Sequence, residues 1–253
     1  MRIAELPAPE VARRLADGAA VILPLGSIET HGPALPMGDY LLAEAIALRI
    51  AAREGTALVA PPIPFGGVDF FRGVPGGVAL STGTLTALVR EVLDALVQGG
   101  ARRLLIVNGH GGNIPAIEEA QRGLRVASGV VAPVLHLWRN AGAWQGALGG
   151  SAEALGHGGD PVASVALHLF PALCHPERLA PRAAAPHCLG LPVTGFGTVS
   201  AGGAEFGVPL DLAEIAPGGV HAADPRGASP THGALITERL IAAGATMLRA
   251  LAA

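Results

Sequence analysis

The sequence predicts an α/β protein, a mostly parallel sheet held between two helical layers in a three-layer α/β/α arrangement. Three observations predict it. Several apolar runs are nearly continuous rather than alternating, as expected of strands buried on both faces. Segments of helical periodicity lie between them. The two kinds of segment alternate along the chain, the pattern of parallel strands joined by crossover helices.

Taken in order, MRIAELPAPEVARRLADG reads as a short start followed by an amphipathic helix. AAVILPL (19–25) is the first strand, and LLAEAIALRIAAREG (41–55) is a helix with Gly55 where a C-cap belongs. TALVAPPI (56–63) is the second strand. STGTLTALVREVLDALVQGGA (81–101) opens on Ser/Thr capping candidates and closes on Gly-Gly. RRLLIVNG (102–109) is the third strand, followed directly by the helix NIPAIEEAQRGLRVAS (113–128). VVAPVLHLW (130–138) is the fourth strand. PVASVALHLFPAL (161–173) is a helix with Pro in its first turn. Residues 177–230 are rich in Pro and Gly and read as loops or short strands. PTHGALITERLIAAGATMLRALAA (230–253) is a terminal helix, again opening on Pro. No low-complexity linker interrupts the pattern, so residues 1–253 read as a single domain. The tetrapeptide GHGG occurs at 109–112 and 156–159, but the flanking sequences differ and give no repeat.

Composition excludes several function classes. The 253 residues carry a net charge of −3 and no basic patch, which argues against a nucleic-acid partner. No apolar run approaches the roughly 20 residues of a membrane span. The N-terminus lacks a signal-type apolar stretch, so the expected location is cytoplasmic. Cys174 and Cys188 form no C-x-x-C pair and read as ordinary thiols. There is no lysine, which excludes Schiff-base, lysine-anchored pyridoxal and P-loop chemistry.

Chemistry concentrates in three loops. Glu29 and His31, two apart after the first strand, share a face if the segment is extended. Ligands collect at that carboxyl edge of an open α/β sheet. The stiff turn GPALPMG then returns Asp39 toward the pair, although Asp39 can also cap the helix it precedes. His110, in VNGHGGN, reaches the same edge from the third strand. LGHGGDPVAS offers His157 and Asp160. Glu29, His31, Asp39, His110 and Asp160 are more donors than one zinc ion takes from a protein. They suit two divalent ions roughly 3.5–4 Å apart that activate water and polarise a carbonyl. His157 can then protonate a departing nitrogen. No serine has a G-x-S-x-G setting, which argues against a serine hydrolase.

The pieces LPLGSIETHGPALPMGD, PPIPFGGV…GVPGGVALSTGTL, RRLLIVNGHGGN, GHGGDPVASVAL and DPRGASPTHGALITERL span most of the chain. In that order they resemble the creatininase (creatinine amidohydrolase) family. The resemblance implies a three-layer α/β/α fold, often hexameric, and a dinuclear zinc or manganese site that hydrolyses C–N bonds. By position, Glu29 and His110 would hold one ion, His31 the other, and Asp39 would bridge. His157 matches the family's catalytic histidine. Gly112 leaves the Asn-Gly-His loop without a carboxylate, and Asp160 occupies the later motif position that can supply one. The sequence departs from the family at Ala34, in place of a second His, and in a His31-to-Asp39 spacing one residue short. It departs again at Asp160 and Val162, where Glu is usual.

The expected activity is metal-dependent cleavage of a small cyclic or formylated amide. Trp138 and Phe65 are expected to line the substrate site, with Phe70 and Phe71 as further candidates. Arg72, Arg139 and Arg226 are isolated candidates for a substrate anion. The alternative class is a non-catalytic or single-metal paralogue that binds without turnover, or a hydrolase of a non-amide bond on the same fold.

Overall fold

The computed structural model describes residues 1–68, 71, 73–181, 186–216 and 218–252. Phe70 and Arg72 lie outside them. An N-terminal helix α1 (Ala8–Ala16) leads into the first strand β1 (Val21–Leu25). There follow α2 (Asp39–Glu54), β2 (Leu58–Val59), α3 (Thr82–Gln98), β3 (Leu104–Asn108), α4 (Ile114–Ser128) and β4 (Val134–His136). The four strands pair in parallel in the order β2-β1-β3-β4.

Both faces of this sheet are buried, and the alternation of the strands divides the core in two. Ile22, Val59, Leu105 and Val107 face α2 and two later helices, α6 (Val162–Leu169) and α8 (Pro230–Ala250). Val21, Leu23, Leu25, Leu104 and Ile106 face α3 and α4, with Leu15 of α1 beside them. The expected three layers are therefore present. Local signals behave as read: Gly55 ends α2 in the left-handed region with φ 74°, and Ser81 caps α3 by accepting from Thr84 N.

Two strands are shorter than the sequence suggests. Pro61 and Pro62 have no N–H to give the ladder, so β2 stops at Val59 and pairing resumes only at a bridge between Leu25 and Ile63. β4 stops at His136 because helix α5 (Leu137–Trp144) begins there, which places Trp138 on a helix. The Pro/Gly-rich region forms a second, antiparallel sheet. Its strands are β5 (His187–Cys188), β6 (Leu191–Gly195), β7 (Thr198–Ala201) and β8 (Ala204–Gly207). Its inner residues Val193 and Val199 pack with Val68, Phe71 and the short helix α7 (Leu212–Ile215). No helix among the described residues is long and apolar enough to cross a membrane.

Helix α8 lies close against α6 because Gly233 has no side chain. A Cβ there would stand 1.9 Å from the Ser164 carbonyl oxygen. Gly233→Ala is expected to destabilise the fold by about 1–3 kcal/mol, overpacking outweighing the better helix propensity of Ala. A urea midpoint at or above that of the parent chain contradicts this packing.

Candidate metal centre

The loop after β1 is folded back by its own backbone. Glu29 N donates to Met37 O at 2.9 Å, and Ile28 bridges Gly38. This returns Asp39 to the strand end. Gly26 permits the approach: a Cβ there would meet Asp39 Oδ1 and Tyr40 N at 2.5 Å. Asp39 is the first residue of α2, and the N-cap is Gly38 with no side-chain cap, so the capping role is not the one observed. Its Oδ1 instead accepts from Ser27 N at 2.5 Å and Ser27 Oγ at 3.1 Å.

β1 and β3 are parallel neighbours, with Leu25 opposite Asn108, so their following loops leave one edge together. The β3 loop is wired by amides. Asn108 donates to His110 O at 2.7 Å and accepts from His110 N at 3.2 Å. Asn113 donates to Gly26 O at 3.0 Å, joining this loop to the one after β1.

Five side chains converge: Glu29, His31, Asp39, His110 and His157. Potential ligand atoms of Glu29, Asp39 and His110 lie within 4.8 Å of one another, as do those of Glu29, His31 and His157. Each imidazole has one nitrogen against a backbone carbonyl: His31 Nδ1 and Pro36 O at 3.3 Å, His110 Nε2 and Gly67 O at 3.2 Å, His157 Nε2 and Thr30 O at 2.7 Å. A carbonyl only accepts, so each of those nitrogens carries the hydrogen. In the neutral rings the other nitrogen is then a bare lone pair. Those nitrogens face Glu29: His110 Nδ1 at 2.8 Å from Oε2, His31 Nε2 at 3.3 Å and His157 Nδ1 at 3.9 Å from Oε1.

Lone pairs and carboxylates at these distances repel unless positive charge stands between them. Glu29 Oε2 and Asp39 Oδ2 are buried and find no aligned hydrogen-bond partner. This donor set fits divalent cations. Without an ion, protons take that role. Burial would lower the His110 pKa, but Glu29 and Asp39 outweigh it and raise it to about 10. Burial also opposes ionisation of Glu29, yet His110 and His31 hold it well below the usual carboxylate range. Asp39 is raised by burial and by the Glu29 charge. His157 is lowered to about 4 by burial and by His31.

The cluster sits in a cavity of about 640 Å³. Its walls include Phe71, Trp138, Leu155, Val162 and Phe196. Trp138 also donates its indole N–H to Gly109 O, bracing the His110 loop. Phe65, expected in the wall, is not among the lining residues and is 39% exposed. Asp160 borders the cavity but belongs to neither ligand group. Its Oδ1 accepts from Ser164 N at 3.1 Å and Ser164 Oγ at 2.5 Å, and its Oδ2 accepts from Gln145 Nε2 at 3.0 Å. It thus satisfies a first-turn N–H of α6. That use of the carboxylate differs from the metal-ligand role expected of it. Gly112 cannot substitute, since a Cβ would stand 2.0 Å from Gly67 O. Arg139 and Arg226 do not line the cavity, and Arg226 is paired with Asp224 at 2.6 Å. Phe196, which the sequence reading passed over, tips the β6–β7 hairpin 5.0 Å from His157. Its signal was the GFG turn between two short β-prone runs.

A parallel sheet between helices, with carboxylates and imidazole lone pairs gathered at its carboxyl edge, defines an α/β protein with a candidate metal centre. The chain belongs to the creatininase family of metal-dependent amidohydrolases: residues 4–248 match the family model of creatininase, creatinine amidohydrolase. It is 34% identical over 191 residues to the mycofactocin precursor peptide peptidase of Mycobacterium ulcerans, covering 72% of this chain and 71% of that protein. A solved structure named creatininase Mn superposes with a TM-score of 0.78 at 28% identity, over 98% of this chain and 97% of that one. A mutant creatininase described as Zn–Zn type superposes at 0.76 and 28% identity, with coverages of 98% and 96%.

A divalent ion that enters the cluster below about pH 10 must displace the His110 proton. Affinity is therefore expected to rise between pH 6 and 8, by up to about tenfold per unit for each proton released. The metal-free fold carries the matching stabilisation in full below about 6.5 and loses it as pH climbs through about 10. Calorimetry in two buffers of different ionisation heat reads the proton release directly. Affinity independent of pH, with no proton released, contradicts the arrangement.

Proposed function

We propose that this chain hydrolyses the C–N bond of a small, uncharged amide with apolar substituents, in a reaction that depends on two divalent ions, zinc or manganese. The amide is cyclic, formylated or a peptide bond flanked by apolar side chains, with any charged terminus left outside the cavity. One observation carries the reading: buried carboxylates and imidazole lone pairs form the polar floor of a cavity whose described walls are aromatic and aliphatic. No arginine is among its described lining residues. A charged group set against those walls would be left unpaired, at a large desolvation penalty. The volume falls within the range of pockets that enclose drug-sized ligands, and the peptidase activity named for the mycobacterial relative is compatible with it.

Ions held at such a site supply Lewis acidity, which polarises a carbonyl and lowers the pKa of water. Glu29, Asp39 and His110 are assigned to one position and His31, with Glu29, to the other. Pro36 O, Gly67 O and Thr30 O orient the three rings, so the donors are in place before substrate arrives. Phe71, Phe196 and Trp138 exclude water and fix the apolar part of the substrate beside the floor. The two cysteines are free, in keeping with a cytoplasmic location, and the family resemblance suggests a homo-oligomer.

Gly112, with no room for a side chain, and Asp160, engaged with α6, favour a second reading: a single-metal paralogue that binds without turnover. Zinc- or manganese-loaded protein tested on lactams, formamides and short peptides separates the two. Hydrolysis that stops with chelation is expected, with apolar side chains beside the cleaved bond preferred over charged ones by about tenfold or more, each unpaired buried charge being penalised by over 1.4 kcal/mol. Asp39→Asn is expected to lower kcat/KM by about 10²–10³-fold. A fully loaded protein that turns over none of the panel supports the second reading.

A further inference from the structure

The second metal position is one donor short. His31 Nε2 and Glu29 Oε1 face it, but the loop that would bring a carboxylate has Gly112 pressed against Gly67 O, and Asp160 is held by Ser164 and Gln145. We propose that His157 completes this position, binding the second ion through Nδ1 alongside His31 Nε2 and a Glu29 oxygen. The inference rests on the metal-dependent reading above and goes beyond it, because the sequence gives His157 a different task, protonating the departing nitrogen.

The hydrogen-bond geometry carries the assignment. His157 Nε2 lies 2.7 Å from Thr30 O, so its hydrogen is committed to that carbonyl. This is the contact a metal-ligating imidazole makes through its second nitrogen, fixing tautomer and ring direction. Nδ1 is left as a lone pair 3.9 Å from Glu29 Oε1, within a group whose donor atoms all fall inside 4.8 Å. The ring has little freedom to turn away. It stacks on His31 at 5.0 Å and 24°, with Phe71 at 5.0 Å on another side and Phe196 at 5.0 Å edge-on. Its backbone is held too, since His221 N donates to His157 O at 3.0 Å.

The resulting donor set is two imidazoles and one carboxylate, with room left toward the cavity. That composition matches a three-ligand catalytic zinc position with one open site. The other position, with Glu29, Asp39 and a single imidazole, is richer in carboxylate. Imidazole suits zinc, whereas carboxylate oxygen suits manganese and magnesium.

The test uses zinc, with cobalt as its spectroscopic substitute. In the whole chain labelled with ¹⁵N-histidine, zinc titration is expected to bring two ions per chain. It should move the His157 Nδ1 resonance to a metal-bound shift and leave Nε2 protonated. His157→Gln and His157→Ala are each expected to keep one tight ion and weaken the second by more than about 100-fold. In the cobalt-substituted protein, the visible bands of one of two ions are expected to change. The NMR arm needs no mutation, so misfolding of a variant cannot mask the answer. Two bound zinc ions with Nδ1 of His157 unmoved overturn this inference and leave the metal-dependent reading standing. A chain that binds no zinc overturns both.

Discussion

Glu29 and Asp39 are buried almost completely at the carboxyl edge of the sheet, and each keeps an oxygen without a hydrogen-bond partner. Uncompensated carboxylates in such a place are strongly unfavourable, so positive charge has to join them. Much of the surrounding architecture follows from this requirement. Gly26 lets α2 approach the strand end, Ser27 holds one Asp39 oxygen, and the 30–38 turn closes on the Glu29 backbone. Three imidazoles are then rotated by backbone carbonyls so that their free nitrogens face the carboxylates. Protons can satisfy the cluster, and divalent ions can do so with Lewis acidity as well.

The second sheet supplies what the main sheet lacks. The parallel sheet and its helices offer an edge with ligands but little enclosure. The β6–β7 hairpin lays Phe196 over His157, and its core is shared with Phe71 beside the His110 ring. Trp138 closes another side while holding the His110 loop by its indole N–H. The apolar walls lower the local dielectric, which strengthens charge interactions at the floor. A polar floor under apolar walls is the basis of the proposed preference for an uncharged amide.

Much of this was legible in the sequence, for identifiable reasons. Strands buried on both faces leave continuous apolar runs, so VILPL and LLIVN were plain, and so were the helices marked by Gly55, Ser81 and Pro230. Glu29, His31, Asp39 and His110 could be brought together because β1 and β3 read as strands and their loops share an edge. Other features depend on partners far along the chain. The hydrogen bonds that Ser164 and Gln145 give Asp160 cannot be read from the loop that carries it. Asp39 looks like a cap until its oxygen is found on Ser27. The carbonyls of Thr30, Pro36 and Gly67 orient the rings, yet a carbonyl leaves no mark on residue type. Phe65 and Phe196 both lie beside glycine, and only the packing of their loops decides that Phe196 lines the cavity and Phe65 does not.

The most direct measurement is a crystal structure of the zinc-soaked protein with anomalous scattering recorded at the zinc edge. Two peaks roughly 3.5–4 Å apart, each bonded to Glu29 or Asp39 and to at least one of His31, His110 and His157, are the predicted result. Peaks only at surface histidines such as His175, with the Glu29–Asp39 cluster free of metal at saturating zinc, would contradict the account.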